Sequence, residues 1–150
     1  MQDTSIAVFL EDEPGRMVYV LKGAPDLQVA KAAIQETAAL LRATSNPKQY
    51  QQALIDVREG SIARINAEEQ QQLIVHAARI REEVGLSTDG TRVAIVVAAA
   101  VDYGMGRMVQ TRGEMAEPGR RRAIFKDLGE AYRWLESPDY SSDLGPPGPD

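Results

Sequence analysis

Apolar and polar positions follow two rhythms along this chain. Near the start, SIAVFL (Ser5–Leu10) and MVYVLK (Met17–Lys22) are short runs rich in Val, Ile, Phe and Tyr, and such runs predict strands. Between them, EDEPGR sets Pro14 and Gly15 where a type II turn wants them. The two runs therefore predict a β-hairpin. Asp26 can cap the helix that follows, in which Leu27, Ala30, Ile34, Thr37 and Leu41 recur at helical spacing. TSNPK (Thr44–Lys48) ends it, because Pro47 cannot continue a helix.

ALIDVR (Ala53–Arg58) predicts a third strand and EGSIARIN a loop. Asn66, with Glu69 three residues on, has the reciprocal capping arrangement. Leu73, Ala77, Ile80 and Val84 form the buried face of that second helix, which Gly85 stops. STDGT turns the chain into RVAIVVAAA (Arg92–Ala100), apolar on both faces and so expected to be a central strand covered on both sides. A third helix is expected from about Asp102 to Glu117, ended by Pro118-Gly119. RRAIF (Arg121–Phe125) is the last strand. Asp127 caps the last helix, with Glu130 at the reciprocal position. Leu128, Ala131, Tyr132 and Leu135 of that helix face the core, and Trp134 covers it.

The order is ββαβαβαβα. It predicts an α/β fold with a mixed, largely parallel five-stranded sheet and an N-terminal hairpin. One domain is expected over residues 1–136. The remainder, Ser137–Asp150, holds four prolines and is expected to be disordered.

Composition changes this picture mainly by exclusion. The 150 residues include no cysteine, which removes disulfides, zinc–thiolate sites and iron–sulfur clusters. His76 is the only histidine and reads as a packed or rim residue, so no metal site and no cofactor are expected. The N-terminus lacks the basic start and apolar run of a signal peptide. The longest apolar run, Val93–Val101, is about half the roughly 18 residues a membrane span needs. Cytoplasmic location, without a membrane span, is the expectation. The net charge of −5 does not attract nucleic acid. Arg107, Arg112, Arg120, Arg121, Arg122 and Lys126 make one stretch locally basic, which reads as a solvated helix face and a strand entry.

The stretch VDYGMGRMVQTRGEM (Val101–Met115) carries the functional question. Its Gly104-x-Gly106-x-x-Val109 lacks the third glycine of a dinucleotide fingerprint. Asp127 sits where that fingerprint wants an acid but serves better as a helix cap. No lysine follows at P-loop spacing. A small nucleotide- or dinucleotide-binding enzyme using the Gly104/Gly106 turn is thus the second reading. In the first, the glycines mark a strand-to-helix bend at the carboxyl rim of an open sheet, where helix amides face a ligand. Arg107 adds charge there. Met105, Met108 and Met115 offer an adaptable apolar surface. Asp56, Arg58 and Ser61 follow the third strand toward the same rim. The expected ligand site is therefore Asp56, Arg58 and Ser61 facing Asp102, Gly104, Gly106, Arg107 and Met108, with no catalytic residue.

Three phrases, LIDVR, DYGMGRM and AIFKDLGEAYRWL, together with the order of elements, resemble the bacterial STAS-like proteins. These are also called SpoIIAA-like, of the STAS/SEC14 group, and are mostly uncharacterised stand-alone domains. The resemblance spans roughly Ser5 to Leu135. It implies the fold shared with anti-sigma-factor antagonists, and a pocket for apolar ligands on the SEC14 side. Those antagonists carry a phosphorylatable serine in a D-S-S-G-like setting. Here DVREGSI offers only Ser61, so the likeness does not extend to a kinase-controlled switch. The expectation is a non-catalytic, regulatory STAS-like module that binds a protein partner or a small amphipathic or anionic ligand. The exposed hairpin edge also suits a homodimer.

Overall fold

The computed structural model describes residues 4–12, 15–86 and 90–136. Pro14 of the expected type II turn, Ser87–Asp89 of the STDGT turn and the tail Ser137–Asp150 lie outside the described residues.

The hairpin is β1 (Ser5–Glu11) and β2 (Arg16–Gly23), antiparallel, with Val8 opposite Tyr19. Then come α1 (Leu27–Ala43), a 3-10 turn (Pro47–Tyr50), β3 (Ala53–Gly60) and α2 (Ala67–Glu83). The chain closes with β4 (Thr91–Val96), α3 (Ala100–Ala116), β5 (Arg120–Phe125) and α4 (Leu128–Glu136). The strands lie side by side in the order β1-β2-β3-β4-β5, and all pairs after the hairpin are parallel. This is the mixed, largely parallel sheet the pattern predicts.

Local signals set the helix starts. Asp26 accepts from the Val29 amide at 3.1 Å. Asn66 and Glu69 form both halves of a capping box, each bond 2.9 Å. Asp127 accepts from the Glu130 amide at 3.0 Å. Each such cap contributes about 1 kcal/mol by satisfying an amide that the helix leaves without a partner.

Alternation along the strands sends successive side chains to opposite faces. Met17, Leu21, Val57, Val93, Ile95 and Ile124 share one face with Leu41 of α1. Val18, Leu54, Ala94, Val96, Ala123 and Phe125 share the other with Trp134 and Leu135 of α4. Helices α1, α2 and α3 thus cover one face and α4 the other.

The structure differs from the sequence reading in three places. First, β4 ends at Val96 and α3 begins at Ala100. Ala98 and Ala99 form the bend and are exposed. Gly104 and Gly106 therefore sit inside helical turns, not in the bend. Gly106 is there for close packing, since a Cβ would lie 3.3 Å from Ile124 of β5. Second, Arg120 and Arg122 are buried, 3% and 6% exposed; they are not a solvated strand entry. Alternation along β5 turns them, like Ile124, under α3. Gly113 makes this possible, because a Cβ there would overlap the Arg122 guanidinium at 2.2 Å. Third, α2 buries Gln70, Ile74 and Ile80, while Leu73, Ala77 and Val84 are half-buried. Leu73 and Ala77 border a cavity instead of a filled interface.

Candidate functional site

The carboxyl rim of the sheet is built from the end of β3. Gly60 passes so close to β2 that a Cβ would lie 2.6 Å from the Gly23 carbonyl oxygen and 2.8 Å from that of Leu21. Only glycine fits. The approach lets the Ser61 amide donate to the Gly23 carbonyl at 2.8 Å, and it aims the loop at α3. Ser61 Oγ donates to Asp102 Oδ1 at 2.8 Å, and the Ile62 amide donates to the same oxygen at 2.8 Å. The Ala63 amide donates in turn to Ser61 Oγ at 3.1 Å. Asp102, 1% exposed, is thus a buried clamp joining the first turn of α3 to the β3–α2 loop. Ala99, at the N-cap of α3, offers no side-chain hydrogen bond. A cleft opens there, bordered by Gly23, Ala24, Arg58, Glu59, Ser61 and Ala98–Ala99.

Asp56 and Arg58 form a second pair, separate from the clamp. Arg58 grips the Asp56 carboxylate with Nε at 2.9 Å, Nη2 at 2.8 Å and its backbone amide at 3.1 Å. Hydrogen bonding from the guanidinium outweighs the opposing effect of burial and holds the Asp56 carboxyl below its ordinary pKa. Asp56 follows Leu54 onto the α4 face by alternation, and Arg58 joins it beside an irregularity in the β2–β3 register; Asp102 belongs to the other side. The expected site residues therefore separate. Ser61 and Asp102 meet directly, and Arg58 shares the cleft with Ser61. Gly104 is exposed, with open space beside it, Gly106 is packed on Ile124, and Arg107 and Met108 are exposed. None of these four lines the cleft. His76 lies on the α1–α2 seam, its Nε2 2.8 Å from Gln35 Nε2.

A second constellation lies at the opposite, amino-terminal edge of the parallel strands. Glu117, just past α3, accepts from Arg81 Nε at 3.2 Å and from Arg122 Nη2 at 2.6 Å. Arg81 Nη2 also forms a close ion pair with it. Burial disfavours the Glu117 carboxylate, but the two guanidiniums outweigh burial and leave its pKa below the ordinary value. Arg120 is held by the Gln51 carbonyl, 2.7 Å from Nη1. Burial, then repulsion from Arg81 and Arg122, pushes the Arg120 pKa down to about 9. Its Nε and the Arg122 Nη1 are buried without an acceptor among the described residues. These cations border a cavity of about 200 Å³ between the sheet and helices α1 and α2.

No family model matches the chain, and no curated protein matches it. A solved structure does. It is that of an uncharacterized protein of the DUF3478 family with a SpoIIAA-like fold, from Shewanella loihica PV-4. It superposes on 89% of this chain and 95% of its own with a TM-score of 0.53, at 18% sequence identity. The fold is SpoIIAA-like. At that identity the likeness carries the architecture, and residue roles within this SpoIIAA-like domain rest on its own geometry. Among the described residues, no helix is long and apolar enough to cross a membrane.

The arginine cluster escaped the sequence reading although its signal was present. RRR at 120–122, entering a strand with a glutamate three residues before it, sends Arg120 and Arg122 to one face and Arg121 to the other. Alternation places the pair on the face of Ile124 and Arg121 on the opposite one; that the Ile124 side lies under α3 was for the fold to decide.

Proposed function

We propose that this chain is a non-catalytic binding module whose carboxyl rim recognises a small anion or the carboxylate of a protein partner. The observation that carries this reading is the cleft at the start of α3. There the first turn exposes its backbone without a side-chain cap, and the Ser61–Asp102 clamp fixes the facing loop. Free amides at a helix start carry partial positive charge, and the Asp56-paired Arg58 borders the same cleft together with Glu59. The clamp consumes the hydroxyl of Ser61, the one serine bordering the cleft among the described residues, by donation to a buried carboxylate. A phosphate on Ser61 would meet that carboxylate directly, so the reading contains no phosphorylation switch. The nucleotide-enzyme alternative loses its basis, because Gly104 and Gly106 are helical and packed or open, not arranged as a phosphate loop.

A thermal-shift screen of the full chain against inorganic phosphate, sugar phosphates, nucleotides and short acidic peptides tests the proposal. Ligands that stabilise the wild type should lose at least tenfold in affinity with Ala98→Glu, which places a carboxylate at the exposed bend. Hits that Ala98→Glu and Arg58→Ala both leave unchanged would place recognition elsewhere on the molecule.

A further inference from the structure

We infer that the cavity between the sheet and helices α1 and α2 is a binding site for a small monocarboxylate of about six carbons in all. The carboxylate lies against Arg120 and Arg122, and the body lies along α1 and α2.

The room exists because α1 presents small residues to the sheet. Ala30 and Ala33 are buried along the cavity, where a helix–sheet interface would ordinarily carry Leu or Ile. Ala77 repeats this on α2. Interiors otherwise pack to crystal density, and an unfilled volume beyond a water molecule is destabilising. The cavity volume of about 200 Å³ is somewhat above the about 150 Å³ of an apolar cavity that admits benzene, which suits an acid of about six carbons. Ala33, Ile34, Leu73 and Val109 make the walls apolar. Ile34, Leu73 and Ala77, on the α1–α2 side, are only half-buried, which leaves an entry for a flexible chain.

The polar end sets the ligand's charge. Arg81, Arg120 and Arg122 all border the cavity, while Glu117 accepts from the guanidiniums of Arg81 and Arg122 and Glu114 accepts from the Arg122 backbone amide at 2.8 Å, so three cations meet two carboxylates. Buried cations in excess of their counter-charges are costly. Arg120 Nε and Arg122 Nη1 are donors without acceptors, and a guanidinium offers its donors in the planar geometry a carboxylate accepts. A monoanion satisfies both donors and offsets the excess charge. An alcohol satisfies donors without charge, and a cation opposes it. The site shares no residue with the rim cleft, so either proposal stands if the other fails.

Isothermal titration of the full chain with sodium hexanoate, 1-hexanol, hexylamine, hexyl phosphate and butanoate tests the inference. Hexanoate should bind saturably at one site. Hexanol and butanoate should bind at least tenfold more weakly, and hexylamine not at all. Arg120→Met and Ala33→Leu should each reduce hexanoate affinity at least tenfold while circular dichroism remains that of the wild type. Ala77→Leu fills the cavity from α2 and replaces Ala33→Leu should that variant not fold; Arg122→Met likewise stands in for Arg120→Met. The inference fails if hexanoate does not bind, if hexanol binds as tightly, or if the cavity-filling variants bind hexanoate unchanged. Tighter binding of hexyl phosphate than of hexanoate would overturn the carboxylate assignment.

Discussion

The two faces of the sheet solve the same covering problem differently. On the α4 side one short helix suffices, because Trp134, 0% exposed, fills the centre. It packs against Phe125 with ring centroids 5.6 Å apart. The buried Arg92 donates to the Trp134 carbonyl and stacks over its ring at 5.5 Å. Arg16 bonds to Glu136 at 3.0 Å and lies over Tyr132 at 4.7 Å. On the opposite side three helices cover the strands, yet alanines leave a cavity and three guanidiniums meet two glutamates, Glu117 and Glu114. Large aromatic residues make a face dry and mechanically fixed. Small residues with surplus charge make one able to admit something.

The largest expected effect tests the packed face. Trp134→Ala should lower unfolding free energy by about 3–5 kcal/mol, read from urea denaturation, as the removed volume leaves a cavity. A loss below about 1 kcal/mol would show that the α4 face is not the stability centre.

Glu117→Gln probes the charged face, with an expected loss of about 3 kcal/mol, because it removes the carboxylate that the Arg81 and Arg122 guanidiniums share. The same residue sets an acid limb. Its pKa in the folded chain lies below the ordinary glutamate value of 4.5, so its contribution is fully present above that value and fades as pH falls through the lowered one. Urea midpoints measured from pH 6 to pH 2 should fall less steeply in Glu117→Gln. An unchanged slope would remove the ion pairs from the stability of this face.

Asp102→Ala should cost about 2 kcal/mol, since the Ser61 hydroxyl and the Ile62 amide lose their shared acceptor. Amide exchange localised to the β3–α2 loop is the accompanying signature. Asn66→Ala should cost about 1 kcal/mol through loss of the α2 cap, and thermal melting reads it. A cost near that of Asp102→Ala would show that α2 on the cavity side is held mainly by its cap rather than by packing.

Much of the architecture was legible residue by residue. Asp26, Asn66 with Glu69, and Asp127 announced three helix starts, and Gly85, with its φ of +80°, announced a stop. The SIAVFL and MVYVLK runs announced the hairpin. The site was less legible. Gly104 and Gly106 invited a turn reading because a strand end and a helix start look alike in an alanine-rich run such as Ala98–Ala100. Asp56 and Asp102 both sit near the rim, but strand alternation and helix phase send them to opposite sides.

Local chemistry fixed what depends on near neighbours: caps, turns, strand alternation and the right order of elements for a SpoIIAA-like sheet. Only the assembled fold decided what depends on distant ones. That Gly113 must lie over Arg122, that Ser61 must reach Asp102, and that Ala30, Ala33 and Ala77 must share one cavity are matters of through-space distance. Side-chain spacing along a chain carries no record of it, because packing against other elements sets how near two distant segments come.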